Sequence, residues 1–401
     1  MTRSSAREVV VVGGGPAGAA AAVLLRRAGH DVLLVDEARF PRDKICGEGV
    51  SPEAWRLLEL LGAAPAVREL RPWPLRGMTL VSPDGTSFRG DYGGSGRAGF
   101  ALRRQDFDHA LLACARKAGV EVRDGTGARR LILGSGRVQG LVIENGGGSE
   151  VVRARLVIGA DGRRSLVART LGLLREHRRL RKFAVRGYWQ GMEGLEERGE
   201  MHVGDGGYCG IAPLSATSAN VTFVLDRTEM APAGGGLEAF YRQALRRRWP
   251  RVAERMQRAD LTDAPRAIGP LALQARRVSF PGGALVGDSA GFYDPFTGEG
   301  VTLALRSAEL AAKAALRSLR HAATPGLLWE YEQARAAATA DKFRLNRLLQ
   351  RIVAWPSLSN AMARRLARRP DLADQLVGIA GDLVPARSAL RPAFLLELLG
   401  I

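Results

Sequence analysis

Apolar positions run without alternation over residues 9–12, four valines in a row, and again over 32–35, in a strand read as 31–35. Such runs predict short strands buried on both faces of a parallel sheet. Between them lie a glycine cluster, Gly13-Gly14-Gly15-Pro16-Ala17-Gly18, and an alanine-rich stretch, 19–28, that favours helix. The start of the chain therefore reads strand, tight turn, helix, strand. A helix is expected to open at Ser51-Pro52-Glu53, with Ser51 as N-cap and leucines 57, 58, 60 and 61 on its apolar side. Residues 78–89 pattern as a hairpin about Pro83-Asp84-Gly85, and 92–99 as a glycine-rich loop. Phe107, Leu111, Leu112 and Ala115 fall on one face of the next helix. A strand over 120–123 follows. Alternation over 128–133, 138–144 and 150–153 predicts an antiparallel meander with a turn at 146–148. Residues 156–160 read as a separate buried strand that Asp161-Gly162 ends, and 165–171 as a helix.

The pattern then changes. Four alternating segments, 183–189, 200–203, 208–212 and 219–225, precede a helical stretch over 237–249. Residues 183–266 read as most of a second domain, an antiparallel sheet inserted in the first. A strand over 278–286 returns to the first domain and ends in Gly287-Asp288. A loop over 292–298 follows, then a long helix from about 298 to 320. Thr324-Pro325 is expected to cap a helix reaching about 355, and the remaining tail is helical, basic and leucine-rich. The domain division is 1–76, 99–182 and 267–323 for the first unit, 77–98 and 183–266 for the second, and 324–401 for the C-terminal helices.

The opening turn carries chemistry. Gly13, Gly15 and Gly18 stand at the G-x-G-x-x-G positions. The first permits the tight turn, the second lets a pyrophosphate approach the backbone, and the third lets helix pack on strand. The helix start offers free N–H groups and a positive dipole end to phosphates. Asp36, at the end of the second strand, suits the hydroxyls of an adenosine ribose.

At 401 residues, with 46% hydrophobic and 25% charged positions, the composition is that of a soluble globular protein. The formal net charge of +18 is unusual, and it is nearly all arginine. A GC-rich genome explains such a skew; attraction to anionic cofactors or lipids is the functional reading. Nothing resembling a nucleic-acid-binding motif accompanies it, so no nucleic-acid partner is expected. Three cysteines, Cys46, Cys114 and Cys209, show neither metal nor disulfide spacing. His30, His109, His177, His202 and His321 are scattered, and no metal site is expected. With no signal peptide and no apolar run of membrane-spanning length, a cytoplasmic protein is expected.

Several motifs in one order resemble the FAD-dependent para-hydroxybenzoate hydroxylase-like superfamily, and within it the geranylgeranyl reductase-type branch and its hydroxylase relatives. The dinucleotide turn, Arg104-x-x-Phe107-Asp108, Gly159-Ala160-Asp161-Gly162 and Gly287-Asp288 carry the resemblance over 9–320. It implies an α/β fold: a Rossmann-like FAD-binding domain, an inserted antiparallel-sheet substrate domain and a C-terminal helical tail. It implies FAD contacts at Gly13, Gly15, Pro16, Ala17, Gly18, Asp36, Arg104, Asp161, Gly287 and Asp288. Pro295, Gly298, Glu299 and Gly300 belong to the stretch that passes under the flavin ring in that superfamily. Lys44-x-Cys46-Gly47-Glu48 resembles the branch's Cys-Gly motif, which makes Cys46 the candidate catalytic residue; Glu48 stands where that branch usually has glycine. A small buried loop cysteine is the alternative reading. Tyr208, Cys209 and His202 are the candidate substrate contacts, with core packing the alternative for Cys209. No second dinucleotide turn is present, so NAD(P)H is expected to dock only transiently as electron donor.

Two chemistries fit. A flavin monooxygenase hydroxylating an aromatic or polyketide-type ring is favoured by the frequency of such enzymes in the superfamily. Reduction of isoprenoid double bonds is favoured by Cys46. A non-catalytic flavin-binding partner is a third reading. Both enzymatic readings need a lipophilic cavity between the FAD domain and the inserted sheet. Arginines 344, 347, 351, 364, 365, 368 and 369 interleave with Leu345, Leu348, Leu349, Ile352 and Leu366. The tail is therefore either a helical lid on the substrate domain or a basic amphipathic surface for peripheral contact with anionic lipid.

Overall fold

The computed structural model describes residues 3–93, 98–176, 181–230, 235–321 and 326–399. His177, the Thr324-Pro325 cap and the middle of the 92–99 loop lie outside the described residues.

The chain opens with β1 (Arg3–Val12), in which Val9, Val10 and Val11 are fully buried. α1 (Pro16–Arg27) starts within the glycine turn rather than after it, because Pro16 is preset for a first helical turn. β2 (Val32–Asp36) pairs in parallel with β1, Val9 facing Val32. α2 (Glu53–Leu60) is not capped by Ser51: that hydroxyl instead meets Thr302 Oγ1 at 2.6 Å. β3 (Gly77–Val81) and β4 (Ser87–Asp91) form the predicted hairpin. α3 (Arg104–Lys117) buries the predicted apolar face together with Arg104 and Asp108.

β5 (Glu121–Asp124) extends the parallel sheet beyond β2. β6 (Gly127–Gly134) and β7 (Arg137–Asn145) lead into β8 (Gly148–Gly159). β8 is one strand where the sequence pattern indicated two. It pairs antiparallel with β7 and, along its length, parallel with β1. Arg153 and Arg155 break the apolar run only because they point to solvent. α4 (Leu166–Thr170) follows, capped by the Ser165 hydroxyl.

β9 (Lys182–Gln190), β10 (Arg198–Gly204), β11 (Gly207–Pro213) and β12 (Ser218–Asp226) form a second sheet in the order β9-β12-β11-β10-β3-β4. Its ladders are antiparallel except for β3, which runs parallel to β10. α5 (Gly236–Arg248) covers one face, where Tyr241 and Leu245 pack with Phe223, Trp189 and Cys209. The predicted strand over 278–286 is instead a tight hairpin of β13 (Ser279–Phe280) and β14 (Gly283–Leu285). Gly282, at φ +91°, makes the turn between them.

α6 (Gly300–Arg320) returns to the parallel sheet. α7 (Gly326–Val353), α8 (Pro356–Arg368) and α9 (Pro370–Ala380) cover the second face of the antiparallel sheet. Leu345, Leu349, Ile352, Leu366 and Leu376 are buried there, so the tail's apolar stripe is used in packing while Arg344, Arg347, Arg351 and Arg368 face solvent. Gly90 permits the close approach: a Cβ on it would press on the Ala373 carbonyl at 2.5 Å, so glycine lets α9 lie on β4. Among the described residues, no helix is long and apolar enough to cross a membrane.

Candidate active site

The glycine turn forms a cradle. Gly13 has φ +106°, and a side chain there would stand 2.6 Å from the Ala160 carbonyl carbon and 2.8 Å from Asp161 N. A Cβ on Gly18 would overlap the Gly13 carbonyl and stand 3.1 Å from Ala160 Cβ. At Gly15 the nearest heavy atom is the Arg42 guanidinium, 3.5 Å away, so space lies open before the helix. No side chain caps α1 at that end, which leaves its N–H groups and dipole facing that space. This cradle fits the diphosphate of a dinucleotide.

The two acids of the turn region also hold backbone. Asp36 accepts from Gly14 N–H at 2.6 Å through Oδ2 and from Ala38 N–H at 2.8 Å through Oδ1. Asp161 accepts from Leu166 N–H at 2.6 Å and so supports the start of α4. Gly287, at φ +61°, brings its backbone against Ala17, whose Cβ would lie 2.8 Å from an added side chain. Asp288 beside it stands 3.8 Å from Lys44 Nζ.

Between the cradle and the antiparallel sheet lies a cavity of about 230 Å3. Gly15, Pro16, Ala17, Cys46, Arg104, Gly287, Asp288, Pro295, Gly298, Gly300 and Tyr208, all singled out in the sequence, line it. Its sheet side is largely apolar, with Met78, Ile211, Val224 and Ile268 beside Leu271 and Phe296, and Glu200 and Thr222 add two polar groups there. A second, smaller cavity of about 70 Å3 lies between that sheet and α7, α8 and α9. The two share Met78, Met201, Phe296 and Thr297 as a common wall. Phe296 is held edge-on to Tyr208, ring centroids 5.0 Å apart. Tyr208 donates to Asp294 Oδ1 at 2.6 Å, which also accepts from Gln350 on α7 at 2.8 Å.

Arg104 is a buried cation with a buried partner. Its Nε and Nη2 reach Asp108 at 2.8 and 2.7 Å, a bidentate pair one helical turn apart. Burial opposes its charge, but Asp108, and then the Cys46 sulfur, outweigh it and hold the guanidinium well above its ordinary value. Burial pushes the Lys44 ammonium down, with Asp288 resisting.

Glu48, two residues past Cys46, is fully buried and takes φ +61°. Its Oε1 accepts from Arg104 N–H at 2.9 Å and from the Tyr188 hydroxyl; its Oε2 accepts from Asn220 Nδ2 at 3.1 Å. The same Asn220 amide donates to Cys46 O at 2.8 Å, and Glu48 N–H points at Cys46 Sγ, 3.4 Å away. Burial raises the Glu48 carboxyl above the usual glutamate range against the pull of Tyr188, Arg104 and Asn220. Behind it, Arg186 pairs with Asp43 at 2.7 and 2.9 Å, and that contact holds Asp43 low. Glu48, Tyr188, Asn220 and the Asp43–Arg186 pair were not foreseen as site residues. Apart from the unusual acid after Cys-Gly, only the folded chain brings them together.

Seven sequence candidates do not line the large cavity: Gly13, Gly18, Asp36 and Asp161 belong to the turn region, and Glu299, His202 and Cys209 face elsewhere. Glu299 turns toward α7, where Lys342 Nζ lies 3.5 Å from it and also meets Asp382; burial pushes acid and lysine toward their uncharged forms. His202 is buried against Glu200, 2.8 Å away, which Arg255 also grips at 2.7 Å. Cys209 is fully buried in the core under α5, the packing role read as its alternative. Among the described residues, no group of three or more His, Cys, Asp or Glu side chains could hold a metal ion.

Residues 6–344 match the family model described as FAD binding domain. The chain is 31% identical over 305 residues to a menaquinone reductase of Mycolicibacterium smegmatis, covering 72% of this chain and 71% of that one. It is 30% identical over 306 residues to a digeranylgeranylglycerophospholipid reductase of Methanosarcina mazei, covering 73% and 70% respectively. Among solved structures it resembles the flavin-dependent brominase Bmp2, with a TM-score of 0.83 at 18% identity, over 94% of this chain and 93% of that one.

Proposed function

The chain belongs to the FAD binding domain family, as an FAD-dependent oxidoreductase, and on that premise we propose that it reduces carbon–carbon double bonds in the isoprenoid chain of a lipid or quinone. The observation that carries this reading is the largely apolar sheet side of the large cavity, with a second, largely apolar cavity across a shared wall. A chain-like substrate can lay one double bond beside the flavin-facing stretch, Pro295–Gly300, and extend its remainder toward the C-terminal helices. The reductases matched by sequence support reduction over the ring hydroxylation that the sequence ranked first.

FAD, when bound and reduced by NAD(P)H or another two-electron donor, supplies a hydride, and a proton completes the addition across the double bond. The residues of this chain do the rest. The α1 N-terminus and Gly15 hold the diphosphate. Gly298 and Gly300 let backbone come close to the ring. Met78, Ile211, Val224 and Leu271 exclude water from the cavity and hold the chain by burial. Cys46, at the cavity wall beside Arg104, stands where a proton can be passed to substrate. The outward basic face of α7 and α8 suits contact with an anionic membrane surface from which such a substrate is drawn.

The test is anaerobic turnover of the reduced holoenzyme with polyprenyl quinones and geranylgeranyl lipids, followed by mass spectrometry. Gain of paired hydrogens without oxygen supports the reading. Product that forms only with O2 and carries an added oxygen atom overturns it in favour of hydroxylation.

A further inference from the structure

Glu48 combines two features that each cost stability. A non-glycine residue at φ +61° is strained, and a carboxyl with no exposed surface loses its hydration. Glycine would relieve both. Strain kept at a cavity wall points to a task there. Three donors from three elements meet this one carboxyl: the Arg104 backbone at the start of α3, the Tyr188 hydroxyl on β9, and the Asn220 amide on β12. α3 belongs to the dinucleotide half of the molecule, and β9 and β12 to the antiparallel sheet. The Cys46–Glu48 turn is thereby fastened to both walls of the cavity at once. The fastening reaches Cys46 directly: Asn220 donates to Cys46 O at 2.8 Å, and Glu48 N–H faces Sγ at 3.4 Å.

We propose that Glu48 is a positioning residue for Cys46: its carboxyl clamps the Cys46 turn between α3 and the substrate sheet and so fixes where the thiol stands on the cavity wall. The proposal rests on the reading above only in placing Cys46 at the reacting end of the cavity. The clamp itself is tested without substrate.

The experiment measures the alkylation rate of Cys46 by iodoacetamide in flavin-loaded protein, resolved by peptide mass spectrometry. Cys114 and Cys209 in the same sample serve as internal references. Glu48→Gly removes the carboxyl and relieves the backbone strain; Tyr188→Phe removes one donor to Glu48, and Asn220→Ala removes another together with the bond to Cys46 O, both leaving Glu48 in place. With the clamp broken, Cys46 alkylation rises about tenfold or more, the factor expected for losing one hydrogen bond to a charged group. The flavin spectrum and melting temperature of Glu48→Gly stay near wild type. In turnover, kcat falls while KM holds. Unchanged Cys46 alkylation in folded, flavin-bound Glu48→Gly overturns the clamp. If that variant does not fold, unchanged alkylation in both Tyr188→Phe and Asn220→Ala overturns it equally. A product analysis that refutes double-bond reduction leaves the alkylation result standing, so the two ideas fail separately.

Discussion

Substituting Gly18 and Gly15 by alanine separates the fold from the cofactor site within one turn. Gly18 lies inside α1 with ordinary helical backbone, so propensity alone favours alanine there by about 1 kcal/mol. The surroundings oppose it. The new Cβ would overlap the Gly13 carbonyl and meet Ala160 Cβ at 3.1 Å, both in the buried contact between helix and strand. Neither neighbour is a flexible side-chain end, so helix and strand must separate. Overpacking of this kind costs about 3 kcal/mol at the upper end of its usual range. The net loss is about 2 kcal/mol, or a fall in melting temperature of roughly 4–8 °C for a domain of this size. At Gly15 the only near atom is the Arg42 guanidinium at 3.5 Å, an ordinary contact. Alanine at this N-cap position costs about 1 kcal/mol of helix stability at most. Its methyl, however, projects into the space facing the diphosphate, and FAD affinity should fall by at least about tenfold, or 1.4 kcal/mol. The assay is differential scanning fluorimetry of the apoproteins combined with FAD titration by flavin fluorescence. The reasoning is refuted if Gly15→Ala melts as low as Gly18→Ala, or if it binds FAD as wild type does.

Ala363, buried on α8, borders the second cavity; Ala363→Phe fills that space and should raise KM for a full-length polyprenyl substrate about tenfold while sparing a short-chain analogue, and equal effects on both would dismiss that cavity as a chain site. Arg104→Ala leaves the fully buried Asp108 with only Arg42, 3.2 Å away, and should cost about 3 kcal/mol in urea unfolding. Adding Asp108→Leu should restore much of that stability but not flavin retention; a double variant no more stable than the single would contradict the buried-pair account. Because burial raises Glu48, the folded protein keeps a proton that the unfolded chain gives up. Its contribution to stability is full below the ordinary glutamate value of 4.5 and is lost as pH rises through the raised one. Urea unfolding of wild type and Glu48→Gln across that window should show a steeper decline for wild type, and identical slopes would be incompatible with a raised carboxyl.

The parts of the structure set by local chemistry were legible in the chain. Residues 9–12 and 32–35 could only be interior strands, and of the fingerprint glycines Gly13 and Gly18 each meet a distinct steric demand while Gly15 keeps the space before α1 open. The α3 stripe was read correctly for its apolar members; that Arg104 and Asp108 share it could have been read from their i,i+4 spacing. What stayed hidden depends on distant partners. Arg153 and Arg155 looked like the end of a strand, because nothing local says that they point outward along one continuous β8. The pairing of Arg186 with Asp43 joins residues 143 positions apart. Glu299 sits between Gly298 and Gly300, and only the packing of α7 shows that its carboxyl meets Lys342. The apolar cavity walls come from β3, β10, the 292–298 loop and the C-terminal helices, which no periodicity connects.

Gly90 and the helix laid across it bear on how the molecule is made. The cradle, the parallel sheet and α6 have all been made by Arg320, and the start of α7 completes their core with Leu328 and Tyr331. Until residues 345–380 emerge, one side of the antiparallel sheet, with Phe88, Met201 and Val203, has no roof and faces water. Synthesis thus passes through a stage in which the antiparallel sheet is exposed and sticky toward other proteins.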